Sequence, residues 1–156
     1  MIQIRRFHVG DEPALFHIYH SAIHQIACRD YTQEQLDAWA PSDLDSLLWS
    51  ARMQGIVPFV AQDGEHVVGY ADVQTTGYID HFFVSGCRPR QGIGALLMQR
   101  IHEEAVVLRL PELSSDVSRT AQPFFERHGF EVVEQRSPVL RGVVIPNALM
   151  RKSRDW

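Results

Sequence analysis

Cysteine is scarce in this chain, and its two copies, Cys28 and Cys87, stand far apart. They make neither a disulfide framework nor a C-x-x-C pair of the kind that holds zinc. No apolar run approaches the ~20 residues that a membrane-spanning helix needs, and Met1-Ile-Gln-Ile-Arg-Arg6 lacks the apolar core of a signal peptide. Lys and Arg are scattered, and a net charge of −4 leaves no global basic field for nucleic acid. Repeats, low-complexity tracts and domain linkers are missing as well. A disulfide scaffold, a zinc module, a membrane span and a general nucleic-acid binder are thereby excluded. A soluble, cytoplasmic protein is the expectation.

What is present fits one domain over residues 1–156. At 45% hydrophobic and 22% charged residues the composition is globular, and a chain of this length buries roughly 70% of its unfolded surface. Ile2–Phe7 alternates as a strand does. Asp11 as N-cap and Pro13 in the first turn open a helix whose apolar side runs through Leu15, Ile18, Ala22, Ile23 and Ile26. Thr32 and Gln35 form a capping-box pattern ahead of Leu36 and Trp39. Leu44, Leu47, Leu48 and Ala51 predict a third helix, ending near Gly55. Pro58–Gln62 and His66–Val73 flank Asp63-Gly64, a hairpin signal. Tyr78–Val84 then reads as one strand, followed by a helix with Ile93, Leu96, Leu97, Ile101, Ala105 and Leu108 on one stripe. Leu113–Val117 is a strand, Thr120–His128 a helix stopped by Gly129, and Phe130–Val133 and Gly142–Met150 are closing strands. The order β-α-α-α-β-β-β-α-β-α-β-β predicts an α/β (mixed α+β) fold, a mixed sheet with helices on both faces.

The informative stretch is Tyr78–Ile101, a strand, a loop holding Arg90-Gln-Gly-Ile-Gly94, and an amphipathic helix. Free amides at a helix start and glycines that let the backbone approach an oxygen suit a phosphate. A Walker loop would need Gly-Lys-Ser/Thr, yet Gly94 is followed by Ala95-Leu96. A dinucleotide fingerprint would need a third glycine where Leu97 stands. The bland alternative is a tight strand–helix turn with no ligand.

The residues Val84–Leu97 resemble motif A of the GCN5-related N-acetyltransferases (GNAT), in which a strand ending in Val leads through a turn into Q/R-x-x-G-x-G/A. Ala121-Gln-Pro-Phe-Phe-Glu-Arg-His-Gly-Phe130 is similar to the family's motif B, A-x-x-x-Y-E-x-x-G-F. Their order and separation, together with the element order, extend the resemblance over nearly the whole chain, as for a small bacterial-type member. It implies a central, mostly antiparallel sheet with a splayed strand pair at an acyl-CoA site, and acetyl-CoA as donor. The pyrophosphate is then expected on the backbone amides of Arg90, Gln91, Gly92, Ile93, Gly94 and Ala95. Helix-dipole attraction there contributes on the order of 0.3–2 kcal/mol. Pantetheine is expected along Phe82, Phe83 and Val84, with the Val84 amide polarising the thioester carbonyl. This chain departs from the pattern at three places. Pro89 fills the first position of Q/R-x-x-G-x-G, so Arg88 or Arg90 is expected to substitute. Phe125 stands where many members have a thiolate-protonating Tyr, and Ser118 where a CoA-contacting Asn is frequent.

The acceptor implied by the resemblance is a primary amine of a small molecule, attacked directly in a ternary complex. Deprotonating a lysine-like amine at neutral pH costs roughly 4.6 kcal/mol, so a base is expected. Asp80 is the first choice and His81 the second, the alternative for both being a buried polar group satisfied by its neighbours. A protein N-terminus or lysine as acceptor, another acyl chain, and a catalytically weak acyl-CoA sensor remain open, Phe125 and Ser118 giving weight to the sensor. His17, His20 and His24 share a helical stripe, but no carboxylate or cysteine at matching spacing completes a metal site. No metal, nucleic acid or membrane partner is expected, and the state is monomer or homodimer. Negative net charge favours a cationic acceptor through long-range attraction.

Overall fold

The computed structural model describes residues 1–88 and 91–156. The expected mixed, mostly antiparallel sheet with helices on both faces is present, in two four-stranded halves. The first half consists of β1 (Ile2–Arg6), β2 (Phe59–Asp63), β3 (His66–Ala71) and β5 (Phe82–Val84), all antiparallel, in the order β1-β2-β3-β5. The second contains β4 (Tyr78–Ile79), β6 (Glu112–Ser118), β10 (Asn147–Ser153) and β7 (Glu131–Arg136), ordered β4-β6-β10-β7. There β4 and β6 run parallel, and the pairs β6–β10 and β10–β7 are antiparallel.

The halves are joined through a break that the sequence reading did not foresee. Tyr78–Val84 is two strands, β4 and β5, separated by Asp80 and His81. The cause is Asp72, just beyond β3. Its Oδ1 accepts the amide hydrogens of Asp80 at 3.0 Å and His81 at 2.6 Å, and Gln74 donates to its other oxygen. The Asp72 amide still bonds to the His81 carbonyl, so the ladder to β3 begins at the break. Before it, the chain pairs with β6 instead. A side-chain acceptor has replaced a backbone one, and the strand changes sheets.

Helix α4 (Ile93–Val107) packs on one face of the first half through Ile93, Leu97, Met98, Ile101 and Ala105. Leu96 and Leu108, expected on that stripe, are exposed. The helix approaches closely because β3 carries Gly69, where an added Cβ would lie 3.0 Å from Ile93 Cγ2. On the other face lie α1 (Glu12–Ser21) and α3 (Ser46–Ile56), around Leu15, Ile18, Trp49 and Met53. In β2, Phe59 and Ala61 face α4 while Val60 faces α1 and α3, as period-2 alternation between two covered faces requires. Asp11 precedes α1 without capping it; its carboxylate bonds Arg5 and the His8 amide.

The first helix does not run on to Ile26. After Ser21 it widens into a π-turn over Ala22–Ile26 and tightens into a 3₁₀ turn over Ala27–Arg29. Helix α2 (Gln33–Trp39) begins at the Thr32–Gln35 capping box, as expected. Helix α5 (Gln122–Arg127) follows β6. The expected strand Gly142–Met150 is divided. Val143–Val144 (β9) pairs with Val139–Leu140 (β8) across Arg141-Gly142, both at positive φ as a type I′ turn needs, and β10 follows separately. Among the described residues no helix is long and apolar enough to cross a membrane.

Burial raises the Asp72 carboxyl from its ordinary 3.8 to about 6. The folded state therefore holds this proton more tightly than the unfolded chain. The associated stability is complete below about 3.8 and lost as pH rises through about 6. His81 works in the opposite sense: burial lowers it to about 4, so its contribution is lost as pH falls through that value. Asp72→Asn keeps an acceptor oxygen for both amides but no charge. Urea unfolding across this window should show the variant gaining on the parent as pH rises; a constant difference would overturn the assignment. Asp72→Ala should destabilise by about 1–3 kcal/mol for each orphaned amide.

Candidate active site

Where β5 leaves the line of β4, it becomes the outer strand of its sheet, facing β6 across a gap with no strand between them. Asp72 and Ser85 donate to the carbonyls of His81 and Val68, so residues 81, 83 and 85 direct their backbone groups to β3. By alternation, the N–H and C=O of Phe82 and Val84 point into the gap. The gap is a cavity of about 680 Å³, bounded by β5, the start of α4, the end of β6, α5 and the π-turn. The π-turn presents Ala22, Ile23 and Ile26 to it.

Of the residues expected to hold the donor, Phe82, Phe83, Val84, Gly94, Ser118 and Phe125 line this cavity. Gly92 caps α4 in the left-handed region at φ +74° with no side-chain cap, leaving the first helical amides free of one. Gln91, Gly92 and Ala95 are exposed at that helix start, and the Ile93 side chain is buried in the core. An added Cβ at Gly94 would meet the Phe124 ring at 3.0 Å. Arg88 is turned away: it pairs with Asp63 at 2.7 Å, at the end of β2, and holds that carboxyl below its usual range. Arg90 and Pro89 lie outside the described residues. The Ser118 hydroxyl accepts from the Ala121 amide at 3.2 Å. Phe125 packs against Phe82, Phe124 and Phe130, an apolar cluster with no hydroxyl.

A second cavity, about 720 Å³, opens on the other side of β5. It shares Trp39 and Phe83 with the first, so the two meet at that pair of rings, whose centroids are 6.4 Å apart. Asp80 and His81 both line it. Neighbours in an unbroken strand would face opposite ways; the break at Asp72 brings both to one side. Asp80 pairs with Arg52 of α3 at 2.9 Å. The buried imidazole of His81 lies among Tyr19, Trp49, Tyr70 and Phe83, with Nδ1 2.9 Å from the Tyr70 hydroxyl. Tyr70 is fully buried and has no other side-chain partner among the described residues, so its proton goes to Nδ1 and the ring hydrogen sits on Nε2. Tyr19 donates to the Trp39 carbonyl at 2.8 Å, and burial pushes its phenol up to about 12.

Several of these residues escaped the sequence reading. Asp72 carried a signal, a lone acid closing the apolar run Val67–Ala71. Arg141 carried one too, an Arg-Gly pair between the short apolar runs Val139-Leu140 and Val143-Val144. Arg52 and Tyr19 carried none, since only packing brings α3 and α1 to the break. Among the histidines, His20 and His24 stack at 4.1 Å and His24 Nε2 meets the Ala40 carbonyl at 2.7 Å. Among the described residues no three His, Cys, Asp or Glu side chains are grouped to hold a metal.

Comparison with known proteins identifies the family and the fold. A family model for the acetyltransferase (GNAT) domain matches residues 27–145. The uncharacterized N-acetyltransferase YafP of Escherichia coli (strain K12) is 35% identical over 151 residues, covering 96% of this chain and 95% of YafP. A crystal structure of a GCN5-related N-acetyltransferase from Rhodopseudomonas palustris superposes with a TM-score of 0.92 at 25% identity, over 97% of this chain and 94% of that one. The PaiA N-acetyltransferase of Thermoplasma acidophilum, solved in complex with coenzyme A, gives a TM-score of 0.77 at 15% identity, covering 98% and 99%. Two motifs, a sheet opened at one strand and a family model over most of the length lead to one statement: the chain belongs to the GCN5-related N-acetyltransferase family.

Proposed function

We propose that this N-acetyltransferase moves the acetyl group of acetyl-CoA onto a primary amine of a small molecule by direct attack in a ternary complex. The observation that carries this reading is the meeting of two cavities at Trp39 and Phe83, one on each side of β5. A donor in the first and an acceptor in the second would bring thioester and amine together there. The proximity would replace a bimolecular encounter with an oriented one.

In this reading the donor pyrophosphate lies on the amides of residues 91–95 at the start of α4, and pantetheine follows the free edge of β5. The thioester oxygen accepts from the Val84 N–H, which keeps that hydrogen bond as the carbonyl carbon becomes tetrahedral and the oxygen takes up charge. The amine nitrogen bonds to this carbon, the C–S bond breaks, and CoA leaves as thiolate. Phe125 supplies no proton, so water protonates the sulfur. Asp80 takes the proton released by the amine, directly or through water. His81 is the weaker choice because its Nε2 already carries hydrogen; it donates into the cavity and orients the acceptor. The binding-only alternative rests on Phe125, and thiol release decides between the two.

Incubation with acetyl-CoA and a panel of amines, followed by free-thiol detection, should reveal turnover with at least one acceptor. CoA binding with no thiol release from any of them would overturn the transferase reading. Asp80→Asn should lower kcat/KM by about 10²-fold or more. Unchanged turnover would remove Asp80 from the mechanism. Gly94→Val places a side chain against Phe124 in the donor cavity. It should weaken CoA binding about tenfold, measured by calorimetry, while the melting temperature shifts little.

A further inference from the structure

The second cavity is charged against the sign of the protein as a whole. The chain carries −4, yet this cavity holds two guanidiniums, Arg52 and Arg141, against one carboxylate, Asp80. Burial keeps the His81 imidazole neutral at pH 7. The excess is one positive charge. Arg52 is satisfied by Asp80 at 2.9 Å. Arg141 is not neutralised: its Nη1 donates to the Ala38 carbonyl at 2.8 Å, and among the described residues no carboxylate lies within 4.0 Å of it. A guanidinium has five N–H donors, so most of this one is open to a ligand.

Arg141 is also held in place. It sits with Gly142 at the positive-φ tip of the β8–β9 hairpin, and its bond to Ala38 ties that tip to α2 beside Trp39. Arg141, Arg52 and Tyr19 line the same cavity. The remaining wall is apolar and aromatic, from Trp39, Trp49 and Leu44. A tethered cation in a cavity with an aromatic wall matches a small molecule with an anion at one end and an apolar body. One unmatched positive charge calls for a monoanion, since a dianionic phosphate would leave excess negative charge beside Asp80. A planar carboxylate also fits the guanidinium fork with two parallel bonds. A simple cationic amine would enter a cavity that is already positive.

We propose that the acceptor is a hydrophobic amino acid, its carboxylate on Arg141, its side chain among the aromatic rings, and its amine between Asp80 and Phe83. The direction assigned to the amine rests on the transferase reading above; the carboxylate preference does not.

The test compares phenylalanine with phenethylamine, and leucine with isopentylamine, by calorimetry on protein saturated with CoA, and then by thiol release from acetyl-CoA. Each amino acid should bind about tenfold or more tightly than its decarboxylated partner. Arg141→Gln should bring the ratio towards one, and Arg141→Lys should restore part of it. Equal affinities, tighter binding of the amine, or no binding by either member overturns the proposal, with no variant needed. A ratio unmoved by Arg141→Gln in folded protein overturns the role of Arg141. Carboxylate preference in binding without thiol release from any pair keeps the carboxylate site on Arg141 and overturns the amino acid as acceptor, while thiol release from other amines of the panel still supports the transferase reading. Thiol release at equal efficiency from both members supports the transferase reading and overturns the proposal.

Discussion

The amides of Asp80 and His81 give their hydrogens to one carboxylate oxygen of Asp72 rather than to a neighbouring strand. Buried backbone donors must be satisfied, and here a side chain does it at the point where the sheet divides. Tyr78–Ile79 can then pair with β6 while Phe82–Val84 remains on β3. The gap between β5 and β6 follows, and with it the unpaired edge at Phe82 and Val84. The same bonds interrupt the alternation of side chains, so that Asp80 and His81 reach one cavity. The gap and the second cavity thus have a common origin in a single carboxylate.

Burial makes that carboxylate reluctant to ionise, while the donors around it favour the anion. Desolvation is the larger effect, and the balance leaves Asp72 titrating at about 6. Three hydrogen bonds from Asp80, His81 and Gln74 offset much of the penalty of burying the charge. Packing supplies the rest of the frame. Gly69 admits α4 onto β3, and this contact sets the height at which the helix begins beside the end of β5. A larger residue there would lift the start of α4 away from the gap it borders.

The elements were legible in the sequence because local signals and tertiary packing agree over most of the chain. The Thr32–Gln35 box, the alternation through Leu113, Ser115 and Val117, and the core positions Ile93, Leu97, Ile101 and Ala105 are each settled within one element. The glycine loop before α4 stood out for a related reason: a site built from backbone amides needs glycines at fixed offsets. Tyr78–Val84 was misread as one strand because nothing inside it signals a break; the cause lies at Asp72, which is distant until the sheet forms. The helix after Ser21 was misread because a π-turn keeps apolar residues at nearly helical spacing. Arg52 and Arg141 come from α3 and the β8–β9 hairpin, segments that meet only in the folded molecule. A cavity assembled from five segments separated in the chain leaves no local pattern.

The contrast between the chain's net charge and its second cavity has the same source. Net charge acts at a distance, where salt screens it within roughly 8 Å under physiological conditions. Inside a cavity walled by Trp39, Trp49 and Phe83, two or three side chains at short range outweigh the remainder of the chain. The −4 of the sequence favours cations approaching from solution, whereas an uncompensated Arg141 favours an anionic group once a molecule is inside. A zwitterion answers both fields, its ammonium drawn by the outer potential and by Asp80, its carboxylate by Arg141. The neutral His81, fixed by Tyr70 with its hydrogen on Nε2, adds a donor without adding charge and so leaves that balance intact across neutral pH.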